Sequence, residues 1–237
     1  MSCRFLFPIL LATLAGVTAL PAAEPRTPET AVTPVLITRH STFMKQIADA
    51  KGDFDFLLVG DSITDGWPSK SKETYAAFAP WKPLNLGISG ERTEQVLWRL
   101  LNGELDGIHP KVAMVMIGTN NLGHAADEKP EWAAAGVAKI VETIRTKLPN
   151  TKILLLSIFP RSEKPTDGIR ARVTATNDLI AKLHDGKMVI YKDITAAFLT
   201  PEGVLTKEVM PDGLHPNAKG YQIWLDAVKP TLDDLMK

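Results

Sequence analysis

Four short polar clusters in this sequence contain the residue types that cleave esters. They occupy residues 60–63, 87–90, 118–121 and 212–216. A serine hydroxyl is a weak nucleophile and needs an adjacent base, and histidine suits that role near neutral pH. The base needs a carboxylate that holds its tautomer and stabilises the imidazolium. Ser62, His215 and Asp212, which stands three residues before the histidine, can supply these three groups.

An ester-cleaving site also needs fixed donors for the oxyanion of the tetrahedral intermediate, each contributing roughly 10²–10³ in rate. The sequence offers the amides of Ser62 and Gly90 and the side-chain amide of Asn120. Gly90 has no side chain to obstruct a substrate. Taken singly, each of these residues is an ordinary turn or cap residue. The interpretation therefore depends on whether the fold brings them together.

Alternating strand and helix patterns provide that fold. Five apolar runs are predicted as buried strands, at residues 54–59, 83–88, 112–117, 152–158 and 188–194. The third and fourth are apolar on both faces, which is typical of parallel strands covered on both sides. Helices are predicted at residues 41–50, 91–102, 131–148, 169–184 and 217–236. This alternation predicts an α/β domain with an open, five-stranded parallel sheet between two layers of helices.

The first three polar clusters directly follow the first three predicted strands, and the fourth lies beyond the fifth strand. Ligands of open parallel sheets bind at the carboxyl ends of the strands, so we expect the clusters to share one rim. Asp61 is expected to bond nearby backbone and shape the serine turn, and Asn121 to support Asn120. Asp65 and Trp67 are candidates for either the pocket mouth or the core. Asp193 is a rival acid partner, for which a structural hydrogen bond is favoured.

Composition excludes several function classes. The 237 residues suit one domain, and Lys plus Arg equals Asp plus Glu at 27 each. Without a strong electrostatic field, a nucleic-acid partner is not expected. Cys3 is the single cysteine, so neither an internal disulfide nor a thiolate metal site is expected. The histidines other than His215 are scattered without metal-binding spacing, and no metal or other cofactor is predicted.

The first 23 residues have the pattern of a secretory signal peptide. Arg4 precedes an apolar run over residues 5–17, and small residues follow it. Cleavage predicts a secreted or periplasmic protein without stable membrane insertion; an uncleaved membrane anchor is the alternative. Residues 24–36 contain three prolines and are predicted to form an extended arm before a hydrolase domain at residues 37–237.

The polar clusters resemble the conserved blocks of the GDSL/SGNH hydrolase family. The matching segments are Gly60-Asp61-Ser62, Gly90, Gly118-Thr119-Asn120-Asn121 and Asp212-Gly213-Leu214-His215-Pro216. Residues 85–90 and 96–100 are similar to the branch that contains the intracellular platelet-activating-factor acetylhydrolase IB catalytic subunits, as are His109-Pro110 and Gly220-Tyr221. The likeness spans about residues 54–224. It implies a flavodoxin-like three-layer α/β/α sandwich that needs no metal.

The resemblance also implies roles for single residues. Ser62 corresponds to the nucleophile, His215 to the base and Asp212 to its acid partner. Gly90 and Asn120 correspond to oxyanion residues. The expected function is a secreted serine ester hydrolase that cleaves short-chain esters, above all acetyl esters, of a small molecule or a glycan. Its family alternatives are a carbohydrate O-acetylesterase and a lysophospholipase or thioesterase.

Rivals from other classes fit the sequence less well. A metal-dependent phosphoesterase needs several histidine and carboxylate ligands, whereas His124 stands alone near Asn120. A catalytically silent binding protein is expected to have lost a catalytic group, and none is missing here. A standard α/β-hydrolase needs a Gly-x-Ser-x-Gly elbow, which does not occur. The acetylhydrolase branch forms dimers, so a homodimer is a further expectation, although no interface can be recognised.

Overall fold

A parallel sheet lies at the centre of the computed structural model, which describes residues 34–124 and 128–237. Its five strands are β1 (Phe56–Gly60), β2 (Pro83–Asn85), β3 (Val112–Met116), β4 (Lys152–Leu156) and β5 (Val189–Lys192). Every neighbouring pair is parallel, and the order across the sheet is β2-β1-β3-β4-β5. The predicted five-stranded parallel sheet is therefore confirmed.

Nine α-helices surround the sheet in the part of the chain that the structure describes. They are α1 (Pro34–Asp49), α2 (Ser62–Asp65), α3 (Trp67–Lys70), α4 (Lys72–Ala76), α5 (Thr93–Arg99), α6 (Thr119–His124), α7 (Pro130–Lys147), α8 (Gly168–Ile180) and α9 (Ala218–Leu235). All five predicted helices are present. The four short ones, α2, α3, α4 and α6, have too few residues to show helical periodicity in the sequence.

The sheet separates two apolar cores because successive strand residues point to opposite faces. On one face, Leu57 and Val59 of β1 pack in a cluster with residues of α1, α5, α7 and α8. On the other face, Phe56 and Leu58 pack with residues of α3 and α9. All residues of β1 and β3 are buried. This three-layer arrangement explains why the central strands are apolar along their whole length.

Several element boundaries differ from the predictions, and two of them concern the start of the first helix and the end of the edge strand β2. Helix α1 begins at Pro34, so residues 34–36 are helical instead of belonging to the extended arm. Proline is favoured in the first turn of a helix, where its missing N–H costs nothing. Strand β2 ends at Asn85, whose side chain accepts a hydrogen bond from the Gly87 amide, although the Leu86 amide still donates one of 2.8 Å to the Leu58 carbonyl of β1.

The predicted signal peptide and most of the arm lie outside the described residues. Within residues 34–124 and 128–237, the helices are too short or too polar for any of them to cross a membrane.

The strand order creates a crevice between β1 and β3. From β1 the chain moves to one side to form β2 and then returns to the other side to form β3. At such a switch point the connecting segments diverge and leave space at the carboxyl ends of the strands. Ser62 follows β1 and Asn120 follows β3, so both lie at this crevice.

Candidate active site

Ser62, His215 and Asp212 form a continuous hydrogen-bonded chain. The Ser62 Oγ lies 2.9 Å from the His215 Nε2, and the His215 Nδ1 lies 2.7 Å from the Asp212 Oδ2. The other carboxylate oxygen of Asp212 accepts hydrogen bonds from the amides of Leu214 and His215 at 3.0 and 2.7 Å. The loop thus folds back on itself and fixes the carboxylate against the imidazole. The three residues identified from the sequence are brought together, although Ser62 and Asp212 lie far apart along the chain.

The hydrogen bonds around Asp212 set its charge state. Burial acts to raise its pKa, but the bonds from the His215 amide, the His215 ring and the Leu214 amide outweigh it and lower the pKa below the usual value. Asp212 therefore remains ionised at neutral pH. An ionised partner holds the imidazole with its Nδ1 protonated, which leaves Nε2 able to accept the serine proton.

Ser62 is held by the helix that begins with it. It is the first residue of α2, and the preceding residue, Asp61, is the N-cap whose Oδ1 accepts the Ile63 amide at 3.0 Å. Asp61 is completely buried, and its Oδ2 has no hydrogen-bond partner within the described residues. Burial raises the pKa of Asp61 to about 7. The turn that carries Ser62 therefore contains a buried carboxyl group whose ionised form is disfavoured by burial.

Gly90 and Asn120 lie side by side at the same rim. The Asn120 Nδ2 donates a hydrogen bond of 2.9 Å to the carbonyl of Glu91, the residue after Gly90. This bond orients the Asn120 amide and leaves its second N–H available. Gly90 has φ +81°, and a Cβ placed on it would meet nothing within 4 Å. Glycine therefore provides the left-handed backbone that turns this loop, with open space beside it.

Asn121 connects the site to the helix behind it. Its Oδ1 accepts the Thr93 amide at 3.0 Å, and its Nδ2 donates to Thr93 Oγ1 and Glu94 Oε2, each at 3.0 Å. These bonds attach α6 to the first turn of α5, directly behind Asn120. Asp193, the rival acid partner, instead accepts the Thr195 amide at 2.8 Å beyond β5.

A buried cluster of charged side chains includes Glu91, the residue after Gly90, and so holds the loop that carries Gly90. Arg99 is fully buried and donates to the Glu91 carboxylate, to the Glu104 carboxylate and to the Leu86 carbonyl. His40 of α1 completes the cluster, with its Nδ1 2.9 Å from Glu104. Burial raises the pKa of Glu91 to about 7, and the guanidinium of Arg99 opposes that shift. The sequence does not reveal this cluster, since only the fold brings these residues together.

A cleft of about 510 Å³ opens beside the hydroxyl of Ser62. Its lining comprises Ser62, Asp65, Gly66, Ser69, Lys70, Ser89, Asp212, His215 and Tyr221. Most of these residues carry polar or charged groups, although carbon atoms form more of the exposed lining surface than nitrogen and oxygen atoms do. Asp65 is fixed there by Arg39 at 2.6 Å and by the Ser89 hydroxyl at 2.8 Å. Trp67, the other candidate for the pocket mouth, is instead fully buried and stacks on Tyr221.

Possible metal ligands are dispersed in the described part of the chain. Among residues 34–124 and 128–237, no three His, Cys, Asp or Glu side chains are grouped so that they could hold a metal ion. His40 bonds Glu104, and the His184 Nδ1 accepts the Tyr191 amide at 3.1 Å.

A hydrogen-bonded Ser-His-Asp set at the carboxyl rim of a doubly wound parallel sheet is the arrangement of α/β serine hydrolases. The sequence matches the GDSL-like Lipase/Acylhydrolase family over residues 58–223. It is 36% identical to platelet-activating factor acetylhydrolase IB subunit alpha2 of Homo sapiens over 186 residues, 78% of each chain. It is 32% identical to subunit alpha1 of Bos taurus over 177 residues, 74% of each chain.

Solved structures share the fold at low sequence identity. A GDSL-like lipase from Bacteroides thetaiotaomicron has a TM-score of 0.70 at 18% identity, covering 82% of this chain and 97% of that one. An acetylxylan esterase from Geobacillus stearothermophilus has a TM-score of 0.61 at 18% identity, covering 78% and 94%. The chain belongs to the GDSL-like lipase/acylhydrolase family and is a carboxylic ester hydrolase, so the family resemblance seen in the sequence is confirmed.

Proposed function

We propose that this protein hydrolyses short-chain, above all acetyl, esters through an acyl-enzyme on Ser62. The observation that carries the proposal is the chain of two short hydrogen bonds, 2.9 Å from Ser62 to His215 and 2.7 Å from His215 to Asp212. A serine so placed can lose its proton to the imidazole as it attacks a carbonyl carbon.

The reaction then has two matched halves. In the first, the Ser62 Oγ forms a bond to the ester carbon while His215 takes the serine proton. The oxyanion accepts hydrogen bonds from the Ser62 and Gly90 amides and from the second side-chain N–H of Asn120. The intermediate collapses when His215 gives the proton to the leaving alcohol. In the second half, His215 takes a proton from water, the hydroxide attacks the acyl carbon, and Ser62 regains its proton.

The polar side chains that line the cleft favour an alcohol that carries hydroxyl groups. The lining includes serines, aspartates and a lysine, and no aliphatic side chain. These side chains can form hydrogen bonds with the hydroxyl groups of a sugar, whereas a long alkyl chain would cover them without offering partners. A carbohydrate O-acetylesterase is therefore the form of this activity that the cleft supports best. A short-chain lipid ester, as the names of the curated relatives suggest, is the second candidate.

Turnover of p-nitrophenyl acetate, butyrate and octanoate tests the activity. We expect the acetate to have the highest kcat/KM, because a longer acyl chain would cover polar and charged side chains that line the cleft. Ser62→Ala should abolish turnover. The matched control is Ser69→Ala, which removes a cleft hydroxyl that bonds the Gly66 carbonyl. Equal turnover by Ser62→Ala and the wild type would refute the mechanism, and a preference for octanoate would refute the short-chain assignment.

A substrate panel separates the two alcohol classes. Acetylated xylan, pectin and sialic acid are compared with an acetylated phospholipid at equal acetyl concentration. Release of acetate from the phospholipid alone would refute the carbohydrate assignment.

We also propose that the protein is exported, on the basis of the charged, apolar and small-residue regions within residues 1–23. Expression of the full chain in a bacterial host, followed by fractionation and mass determination, tests this. An intact Met1 on cell-associated protein would overturn it.

A further inference from the structure

Arg161 joins the carboxyl ends of two strands at the rim of the active site. It follows β4, which ends at Leu156, and its Nη1 donates a hydrogen bond of 3.0 Å to the carbonyl of Thr119. Thr119 directly precedes Asn120, the residue that offers a side-chain donor to the oxyanion. The guanidinium therefore holds the backbone turn from which that donor projects.

Helix α6 leaves space for this guanidinium at one position. A Cβ on Gly123 would lie 1.9 Å from the Arg161 Nη1 and 2.3 Å from its Cζ. Any side chain at position 123 would displace the arginine. The close contact shows that the guanidinium packs against the backbone of α6 at Gly123.

The residue after Arg161 is bonded to the catalytic loop. The Ser162 amide donates a hydrogen bond of 2.8 Å to the carbonyl of Gly213, between Asp212 and His215. Arg161 and Ser162 thus connect the turn that carries Asn120 to the loop that carries the candidate base and its acid partner.

The charge of Arg161 matters because two carboxyl groups lie close to the reacting serine. Burial lowers the pKa of Arg161, and the carboxylates of Asp61 and Asp212 oppose this shift. Asp61 is completely buried one residue before Ser62, with one oxygen unbonded among the described residues. A negative charge there opposes the oxyanion that develops at Ser62, and a nearby cation offsets this opposition.

We propose that Arg161 is a positioning residue of the oxyanion hole, which fixes the turn of Asn120 against the catalytic loop and offsets the negative charge beside the oxyanion. This inference rests on the proposed function. Arg161 should stabilise the transition state more than the bound ester, because the ground-state ester carries no charge for it to offset.

Three variants of the full chain test the inference. Arg161→Gln should lower kcat about 10- to 100-fold, somewhat less than the loss of one direct oxyanion donor, and change KM less than about threefold. Arg161→Lys retains the charge and should recover part of the loss. Gly123→Ala should lower kcat in the same direction, because its Cβ displaces a guanidinium that is still present.

The matched control is Arg145→Gln. Arg145 is also partly buried and also donates to backbone carbonyls, those of Leu148, Pro149 and Thr151. These residues precede β4 and so lie at the amino ends of the strands, whereas the active site lies at the carboxyl ends. The variant should therefore lose stability without losing kcat. Chemical rescue provides a readout that a purely structural role would not affect. Guanidinium ion at millimolar concentration should raise the kcat of Arg161→Ala, whereas sodium chloride at equal ionic strength should not.

The outcomes separate this inference from the function on which it rests. A folded Arg161→Gln variant with kcat within twofold of the wild type would overturn the inference alone. A loss of kcat that parallels a fall in melting temperature, and that neither Arg161→Lys nor added guanidinium ion relieves, would also overturn it. A wild type without ester turnover would overturn the proposed function and this inference with it.

Discussion

Two carboxyl groups beside Ser62 lie in opposite environments. Asp212 is partly exposed and accepts three hydrogen bonds from residues 214 and 215, which lower its pKa. Asp61 is completely buried and accepts one, and burial raises its pKa to about 7. At neutral pH Asp212 is therefore charged, as the partner of an imidazolium must be, whereas Asp61 is partly protonated. Such a separation of two neighbouring acids is a common way to give them different roles.

The raised pKa of Asp61 predicts a pH-dependent stability. The folded-state pKa of about 7 exceeds the unfolded value of 3.8, so between these values the folded state retains a proton that the unfolded state releases. The stabilisation is full below pH 3.8 and is lost as the pH rises through 7, on the order of 4 kcal/mol in total. Asp61→Asn cannot ionise and should lose less stability over this range.

Urea unfolding at pH 4.5, 6.0 and 7.5 measures this difference. The control is Asp226→Asn, which removes an exposed carboxylate bonded by Gln222. The asparagine introduced by Asp61→Asn would keep an oxygen that can accept the Ile63 amide. A wild type and an Asp61→Asn variant whose unfolding free energies change in parallel with pH would contradict the assigned environment of Asp61.

At the scale of elements, the site depends on how helices α5 and α6 are joined behind the strand ends. Asn121 alone makes three hydrogen bonds of 3.0 Å from α6 to the first two residues of α5. Two of these bonds need the donor capacity of an amide, and one of the acceptors is the carboxylate of Glu94. An aspartate at this position has nothing to donate at neutral pH and places two negative charges in contact.

Asn121→Asp should therefore destabilise the protein by about 1–3 kcal/mol, the usual cost of leaving buried polar groups without partners. It should also lower kcat, because α6 carries Asn120. The measurements are chemical unfolding and ester turnover at pH 7.5. Asn150→Asp, an exposed change in the turn before β4, serves as the control. Unchanged stability of Asn121→Asp would show that the junction does not depend on the donor groups of the amide.

Elements differ in how well their sequences predict them. Strands β1 and β3 are predictable because burial on both faces demands continuous apolar residues. Helix α7 is predictable because it is long enough for a 3.6-residue period to appear. The short helices α2 and α3 have no such signal. The burial of Trp67 could not be predicted either, because it depends on the packing of α9, whose Trp224 lies against it.

At the scale of the whole molecule, one sheet supports two cores and a single rim that collects the site residues. The rim was predictable, because parallel strands place all their carboxyl ends at one edge. The order β2-β1-β3-β4-β5 adds the crevice between β1 and β3. The supporting charges were not predictable: Arg99, Glu104 and His40 are brought together only by packing. Arg161 is different, because it lies shortly after the fourth predicted strand. The rule that ligands bind at the carboxyl ends of parallel strands is therefore sufficient to make it a candidate site residue.

We propose that Ser62 is the nucleophile and that His215 activates it. The most direct measurement is reaction of the wild type with a fluorophosphonate, followed by mass mapping of the adduct. We expect one adduct per chain, on the peptide that contains Ser62. His215→Ala should form it at least about 10³-fold more slowly, because an unactivated serine is a weak nucleophile. An adduct on Ser69 or Ser89 would contradict the assignment of Ser62, and a His215→Ala variant that reacts as fast as the wild type would contradict the role of His215.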